Sequence, residues 1–240
     1  METLKDVLEK VQMISIFGKI GSGKTALAFK LLEWLADKKP IYVIKHPQPK
    51  LIEEFGYINI ESINDIEKLS DCVVYFDEPQ LALDVADYKR DRIMARVCSL
   101  ARQRDIKLII STSDSRLLSP RVEAYIGLWL IKDCEFALTK QRSMLRHIII
   151  KNSLVSPDGF KLKDNEFVAD TREHYTINGT HTFTLPDNWS DELSKAYKHG
   201  NIRDTSSEKN HGENSPKTHG SQLNNSLKNV EITNQRVESK

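Results

Sequence analysis

Eight residues, Gly18 to Thr25 (GKIGSGKT), have the types and spacing to hold the phosphates of a nucleotide. They fit G-x-x-x-x-G-K-[ST], the phosphate-binding P-loop, with Gly18 and Gly23 at the fixed positions and Lys24 and Thr25 closing it. Glycines lacking a Cβ let successive backbone N–H groups curl around a triphosphate, and the helix that follows turns its positive end toward it. The cofactor-binding set is therefore Gly18, Lys19, Ile20, Gly21, Ser22, Gly23, Lys24, Thr25 and Ala26, with ATP as the expected ligand. Lys24 is expected to reach the β- and γ-phosphates, and Thr25 to place its hydroxyl on Mg2+.

A second chemical pair, Asp77-Glu78, ends the apolar run Val73 to Phe76 (VVYF). Two acids after an apolar run are often no more than a solvated strand end. About fifty residues beyond a P-loop they take the form of a Walker B pair, in which one carboxylate serves the metal and the other orients the attacking water. Asp77 fits the first role, beside Thr25, and Glu78 the second. A glutamate in that position suits activation of water more than phosphoryl transfer to a small acceptor. Polar residues Ser111 to Asp114 follow the run Lys107 to Ile110, and one of Thr112, Ser113 or Asp114 is expected to contact the γ-phosphate or its water. Such residues also cap strand ends for reasons unrelated to chemistry.

These groups need elements to hold them. Val11 to Phe17 reads as a short buried strand and Ala26 to Ala36 repeats apolar residues at helical spacing, so the loop lies between strand and helix. Lys38-Lys39-Pro40 stops that helix, and Ile41 to Ile44 reads as a second strand. Leu51 to Phe55 and Ile63 to Leu69 read as helical turns, the second capped by Ser62 or Asn64. Asp84 to Arg104 is helical in pattern, and Ile126 to Ile131 and Leu145 to Ile150 read as further strands, with Cys134 to Lys140 a short strand or loop between them. Strands alternating with helices imply an α/β fold with a mostly parallel central sheet between helical layers. Its nucleotide belongs at the carboxyl edge of the strands.

Past Ser156 the character changes. Glu166 to Ala169 reads as an edge strand, Asn178-Gly179 as a hairpin signal, and Trp189 to Tyr197 as a short closing helix. The expected division is a core over 1–155, a packed extension over 156–198 and a polar, disordered tail over 199–240, where too little apolar area is available to offset ordering entropy.

Composition narrows the field. With 240 residues the chain can bury a full core, and a formal charge of +1 leaves nucleic-acid binding to local basic patches. Three widely spaced cysteines, Cys72, Cys98 and Cys134, argue against a disulfide framework and for a reducing compartment, the cytoplasm by default. No apolar run approaches bilayer length, and the first ten residues lack a signal-like apolar stretch. The histidines show neither HExxH nor close spacing with cysteine, and no G-x-S-x-G elbow is present.

Taken together, GKIGSGKT, VVYFDE, ARQRDIKLIISTS and SPRVEAYIGLWLI resemble the FtsK–HerA branch of P-loop ATPases, and within it the viral genome-packaging ATPases and Zot-like phage morphogenesis proteins. Arg102, Ile106, Thr112 and Arg121 match that group's arginine-containing element and following strand. Gln103 stands in place of its histidine and Ser113 in place of its glutamine sensor. Phe183 to Tyr197 is similar to its aromatic-Pro-Trp closing segment. The resemblance implies a RecA-like three-layer sandwich and a ring, expected to be hexameric, that couples ATP hydrolysis to movement of double-stranded DNA. It also implies that Arg102 or Arg121, with Arg104 a further candidate, reaches a neighbour's phosphates. The alternative is a nucleotide-regulated protein that assembles on a capsid or membrane partner without moving DNA. A small P-loop kinase ranks third, because it would lack the paired glutamate.

Overall fold

A computed structural model describes residues 2–79, 83, 87–133, 145–148, 162–171, 173–190 and 192–193. Eight strands make one sheet: β1 (Met13–Phe17), β2 (Ile41–Ile44), β3 (Ile58–Ile60), β4 (Val73–Asp77), β5 (Lys107–Thr112), β6 (Leu128–Ile131), β7 (Glu166–Thr171) and β8 (Gly179–Thr182). Their order is β3-β2-β4-β5-β1-β6-β7-β8. Pairings from β3 through β6 are parallel, whereas β7 runs antiparallel to β6 and β8 antiparallel to β7.

Helices among the described residues include α1 (Leu4–Lys10), α2 (Lys24–Ala36), α3 (Pro49–Glu54), α4 (Asp87–Gln103) and α5 (Pro120–Glu123). At the start of α1 the Thr3 hydroxyl accepts from Asp6 N while the Asp6 carboxylate accepts from Thr3 N, a reciprocal cap. Ile63–Lys68 is a 3-10 helix capped by the Ser62 hydroxyl.

Side-chain alternation divides the core into two layers. Ile14, Ile16, Tyr75, Ile109, Leu128 and Leu130 pack with α1 and α2 on one face. Met13, Phe17, Val74, Phe76, Leu108, Ile110, Trp129 and Ile131 pack with Val97, Cys98 and Ala101 of α4 on the other. Successive residues of a strand point to opposite faces, so continuous apolar runs such as VVYF are what a sheet covered on both sides requires. This is the expected α/β three-layer sandwich.

Several expectations change. Residues 145–148 are helical, not a strand, and Leu145 and Ile148 bury against the α4 face at a three-residue spacing. Glu166 to Ala169 is not an edge: β7 extends to Thr171 and lies between β6 and β8, with Phe167 and Val168 on opposite faces of the core. Asn178-Gly179 does lie between two antiparallel strands, but as the end of a longer connection rather than a two-residue turn. Its Asn178 amide accepts from Thr171 N at 2.8 Å and donates to Thr171 O at 3.1 Å, and Gly179 begins β8 at φ 136°. Strand β3 was not anticipated, because its three residues are too few to show a period.

Residues 1–200 form one compact unit, so β7 and β8 belong to the same body as the P-loop core. Cys134 to Lys140, most of the closing helix and the polar tail lie outside the described residues. Among the described residues no helix is long and apolar enough to cross a membrane. Cys72 and Cys98 are free and buried.

Phe29 of α2 is fully buried where four aromatic rings meet it: Phe55 at 5.1 Å, Tyr75 at 5.9 Å, Tyr57 at 6.2 Å and Trp189 at 6.4 Å between centroids. Phe29→Ala should therefore cost about 3–5 kcal/mol in urea unfolding, the range for emptying a large aromatic site. A loss below about 1 kcal/mol would show that this cluster does not anchor α2.

Candidate functional site

The P-loop follows the carboxyl end of β1, with β5 on one side and β6 on the other. Gly23 is the N-cap of α2 at φ 86°, a backbone region that L side chains rarely enter. Gly18 is needed for room: a Cβ there would lie 2.7 Å from Ser22 Oγ and 2.8 Å from Lys132 Cβ. The loop is tied to its neighbours by Lys19 N donating to Asp133 O at 2.8 Å and by an ion pair between Lys19 and Asp133. Ser22 Oγ is buried without a hydrogen-bond partner among the described residues. Ile20, at the tip, is 76% exposed.

Strand parity brings the acids to this loop. Tyr75, Asp77 and Ser111 occupy same-face positions on adjacent strands, because Asp77 pairs with Ser111 in the β4–β5 register and Tyr75 lies two residues before Asp77. That face is the one covered by α2, which begins with Lys24 and Thr25. Accordingly Thr25 Oγ1 donates to Asp77 Oδ2 at 3.3 Å, Ser111 Oγ donates to Asp77 Oδ1, and Tyr75 OH lies 3.0 Å from Ser111 Oγ. Asp77 is almost wholly buried, and burial raises its carboxyl to about 6. The Ser111 hydrogen bond opposes that rise and the neighbouring Glu78 charge adds to it.

Glu78 stands just past the strand at φ 40°, in the left-handed region, while its N–H still donates to Ser111 O at 2.9 Å. A non-glycine residue held there carries backbone strain that surrounding contacts must hold in place. Contacts to Lys24 and Ser113 do so. Lys24 Nζ lies 3.0 Å from Glu78 Oε1, and the backbone N and hydroxyl of Ser113 donate to Glu78 Oε2 at 3.0 and 3.2 Å. Lys24 also donates to Lys19 O at 3.1 Å, so its ammonium is held across the mouth of the loop.

Most of the residues singled out in the sequence thus converge. Of the three sensor candidates, Ser113 is the one that reaches Glu78; Thr112 Oγ1 accepts from Asp114 N, and Asp114 binds Arg116. Ser111 and Thr112 belong to β5 itself rather than to the loop after it. Arg102 is exposed at the end of α4 and lines a cleft with Lys10, Met13, Gly127 and His174, at the amino edge of the strands. It lies at the opposite end of the sheet from its own chain's P-loop. Arg121 is exposed on α5.

Tyr75, Lys132 and Asp133 were missed, and Ser111, named within the polar stretch after β5, was left out of its three candidates. Ser111 could have been found by counting two residues from Ile109 along β5, and Lys132 as a lone cation directly after the apolar run of β6. Lys132 is fully buried, donates to Asp164 O and Glu166 O, and burial lowers its ammonium to about 8, against the opposing charges of Asp164, Asp133 and Glu166.

Known structures share this architecture. The genome packaging NTPase B204 from Sulfolobus turreted icosahedral virus 2, solved with AMPPCP, superposes with a TM-score of 0.54 at 18% identity, over 73% of this chain and 99% of that one. B204 from Sulfolobus turreted icosahedral virus, a DNA-packaging ATPase, gives 0.51 at 19% identity over 73% and 98%. The pCW3 conjugation coupling protein TcpA, solved with ATPγS, gives 0.53 at 16% identity over 80% of this chain; the present chain spans 65% of TcpA's length. At these identities the likeness is one of fold. No curated protein sequence matches the chain. The model of the nSTAND3 family, novel STAND NTPase 3, matches residues 1–154, the stretch that carries the P-loop, the Asp77-Glu78 pair and Ser113. The chain is a P-loop NTPase and belongs to the nSTAND3 family.

Proposed function

We propose that the protein is a Mg2+-dependent ATPase that works as a homo-oligomeric ring, a hexamer by the sequence resemblance, and moves double-stranded DNA. The observation that carries the hydrolytic part is the meeting of Lys24, Thr25, Asp77, Glu78 and Ser113 at one edge of the sheet. In this reading the loop amides and Lys24 bind the β- and γ-phosphates. Thr25 and Asp77, already side by side, would hold the metal, which supplies positive charge to the phosphate oxygens when bound. Glu78, steadied by Ser113, orients water for attack and accepts its proton.

The DNA part is supported by fold: the packaging ATPases and the coupling protein are proteins of this architecture. Arg102 is too far round the sheet to serve its own chain's nucleotide, so as a finger it would act on a neighbour in the ring, with Arg121 the second candidate. The second reading, a nucleotide-regulated binding protein with a capsid or membrane partner, is favoured by the Lys24–Glu78 contact, which holds the hydrolytic carboxylate on the phosphate cation until nucleotide arrives. ATP turnover measured with and without double-stranded DNA, alongside native mass, separates the two. The motor reading expects DNA-stimulated turnover by an oligomer. A monomer whose turnover ignores DNA would reject it.

Lys24→Ala should abolish nucleotide binding by calorimetry. Glu78→Gln should bind ATP at least as tightly as the parent, since Lys24 is no longer claimed by a carboxylate, while hydrolysis falls by about 10²- to 10⁴-fold. Loss of ATP binding in folded Glu78→Gln protein would exclude the base assignment.

The raised value for Asp77 gives a stability prediction with a definite sign. A carboxyl held above its ordinary value favours folding while neutral, and that contribution is lost as pH rises from about 4 through about 6. Nucleotide-free Asp77→Asn should therefore be more stable than the parent at pH 7.5, by about 1–3 kcal/mol, with the gain vanishing near pH 4. Metal-dependent turnover should be lost in the same variant. Equal or lower thermal stability at pH 7.5 would contradict the assignment of burial cost to Asp77.

A further inference from the structure

The phosphate chemistry leaves Lys132 unused, although it is one of the largest fully buried side chains in the protein. Burying an ammonium is costly unless close partners replace its water. Here the hydrogen-bond partners among the described residues are carbonyl dipoles, Asp164 O at 2.5 Å and Glu166 O at 2.6 Å, with the Phe183 ring 5.0 Å from Nζ. An apolar side chain would fill the same space at lower cost, so the position of the charge calls for another reason.

That position joins three parts of the fold. The Lys132 N–H donates to Phe17 O at 2.8 Å, directly before the P-loop. Its stem walls the loop: a Cβ on Gly18 would lie 2.8 Å from Lys132 Cβ, and one on Gly23 would lie 3.5 Å from Lys132 Cε. The same point on Gly23 is 3.3 Å from Asp164 O, so the turn that starts β7 also rests against the last glycine of the loop. That turn is firm, with Glu166 N donating to Lys163 O at 2.8 Å, Lys163 N donating to the Glu166 carboxylate at 3.0 Å, and Phe183 N donating to Asn165 O at 3.0 Å.

We propose that Lys132 is a positioning residue of the nucleotide site, tying the start of β7 to the outer wall of the P-loop so that a phosphate seated in the loop tightens the β7–β8 hairpin. The inference rests on the nucleotide reading above. Close-packed contacts transmit small shifts instead of absorbing them. Any settling of Gly23 around phosphate therefore bears directly on Lys132 Cε and the Asp164 carbonyl. The ammonium, bonded to that carbonyl and to Glu166 O, carries the shift into β7.

Hydrogen exchange read by mass spectrometry on the full chain tests this, using the parent, Lys132→Arg and Lys132→Met with and without saturating Mg2+ and AMPPCP. In the parent, nucleotide should slow exchange about fivefold or more both in peptides covering 18–25 and in peptides covering 163–168. Lys132→Met should still show protection of 18–25 at saturation, with affinity weakened about tenfold, and lose the response of 163–168. Lys132→Arg should keep both responses, because it retains the donors and the charge. A role confined to packing would lower the thermal stability of Lys132→Met but leave the two responses coupled, and that result overturns the proposal. If Lys132→Met does not fold, the parent decides: protection of 18–25 with an unresponsive 163–168 overturns it. No protection of 18–25 in the parent would overturn the nucleotide reading and this inference together.

Discussion

At the carboxyl edge of this sheet the carboxylates of Asp77 and Glu78 and the ammonium of Lys24 lie together with little exposure, so each charge needs a partner. Lys24 and Glu78 are such a pair, 3.0 Å apart. A charge so placed cannot be left alone, because removing one partner of a buried pair strands the other at a cost of about 3–5 kcal/mol. The rest of the edge follows from that constraint. Ser113 holds the far oxygen of Glu78, the Glu78 backbone takes a left-handed conformation to bring the carboxylate within reach of Lys24, and Lys24 is also held by the carbonyl of Lys19. In the proposed site an incoming triphosphate would take Lys24 as its partner and leave Glu78 held by Ser113.

Asp77 shows the other side of the same arrangement. Its carboxyl is buried, raised toward neutral pH, and bonded by Ser111 and Thr25, with Tyr75 behind Ser111. The charged form is therefore the costly one, and a divalent cation held there, as proposed, would lower its energy. Functional positions are where a chain tolerates this kind of local cost. The raised carboxyl, the strained Glu78 backbone and the Ser22 hydroxyl, which has no partner among the described residues, all lie within the loop and the strand ends that face it.

Much of this was legible in the sequence. The P-loop and the Asp77-Glu78 pair could be read because their chemistry demands fixed residue types at fixed spacing, and the continuous apolar runs of β1, β4 and β6 because strands covered on both faces need them. Ser113 was one of three residues that the polar stretch after β5 offered, with Thr112 and Asp114, and it is the one that bonds Glu78. What could not be read depends on partners distant in the chain. Glu166 to Ala169 looks like an edge strand until β8 is known to cover it, and the apolar residues at 145–148 suit a strand or a helix equally over so short a run. Ser111 was obscured because its role comes from register with Asp77, which no local pattern encodes. Lys132 drew no reading because its acceptors, the carbonyls of Asp164 and Glu166, lie more than thirty residues on.

The exchange of partners at Lys24 is the centre of the account, and a crystal structure of the protein with Mg2+ and AMPPCP measures it most directly. The nucleotide should lie in the Gly18–Thr25 loop, with Lys24 Nζ moved from Glu78 onto the phosphate oxygens, Thr25 and Asp77 holding the metal, and Ser113 still bonded to Glu78. Nucleotide seated in the loop while Lys24 stays paired with Glu78, or nucleotide bound elsewhere on the chain, would contradict it.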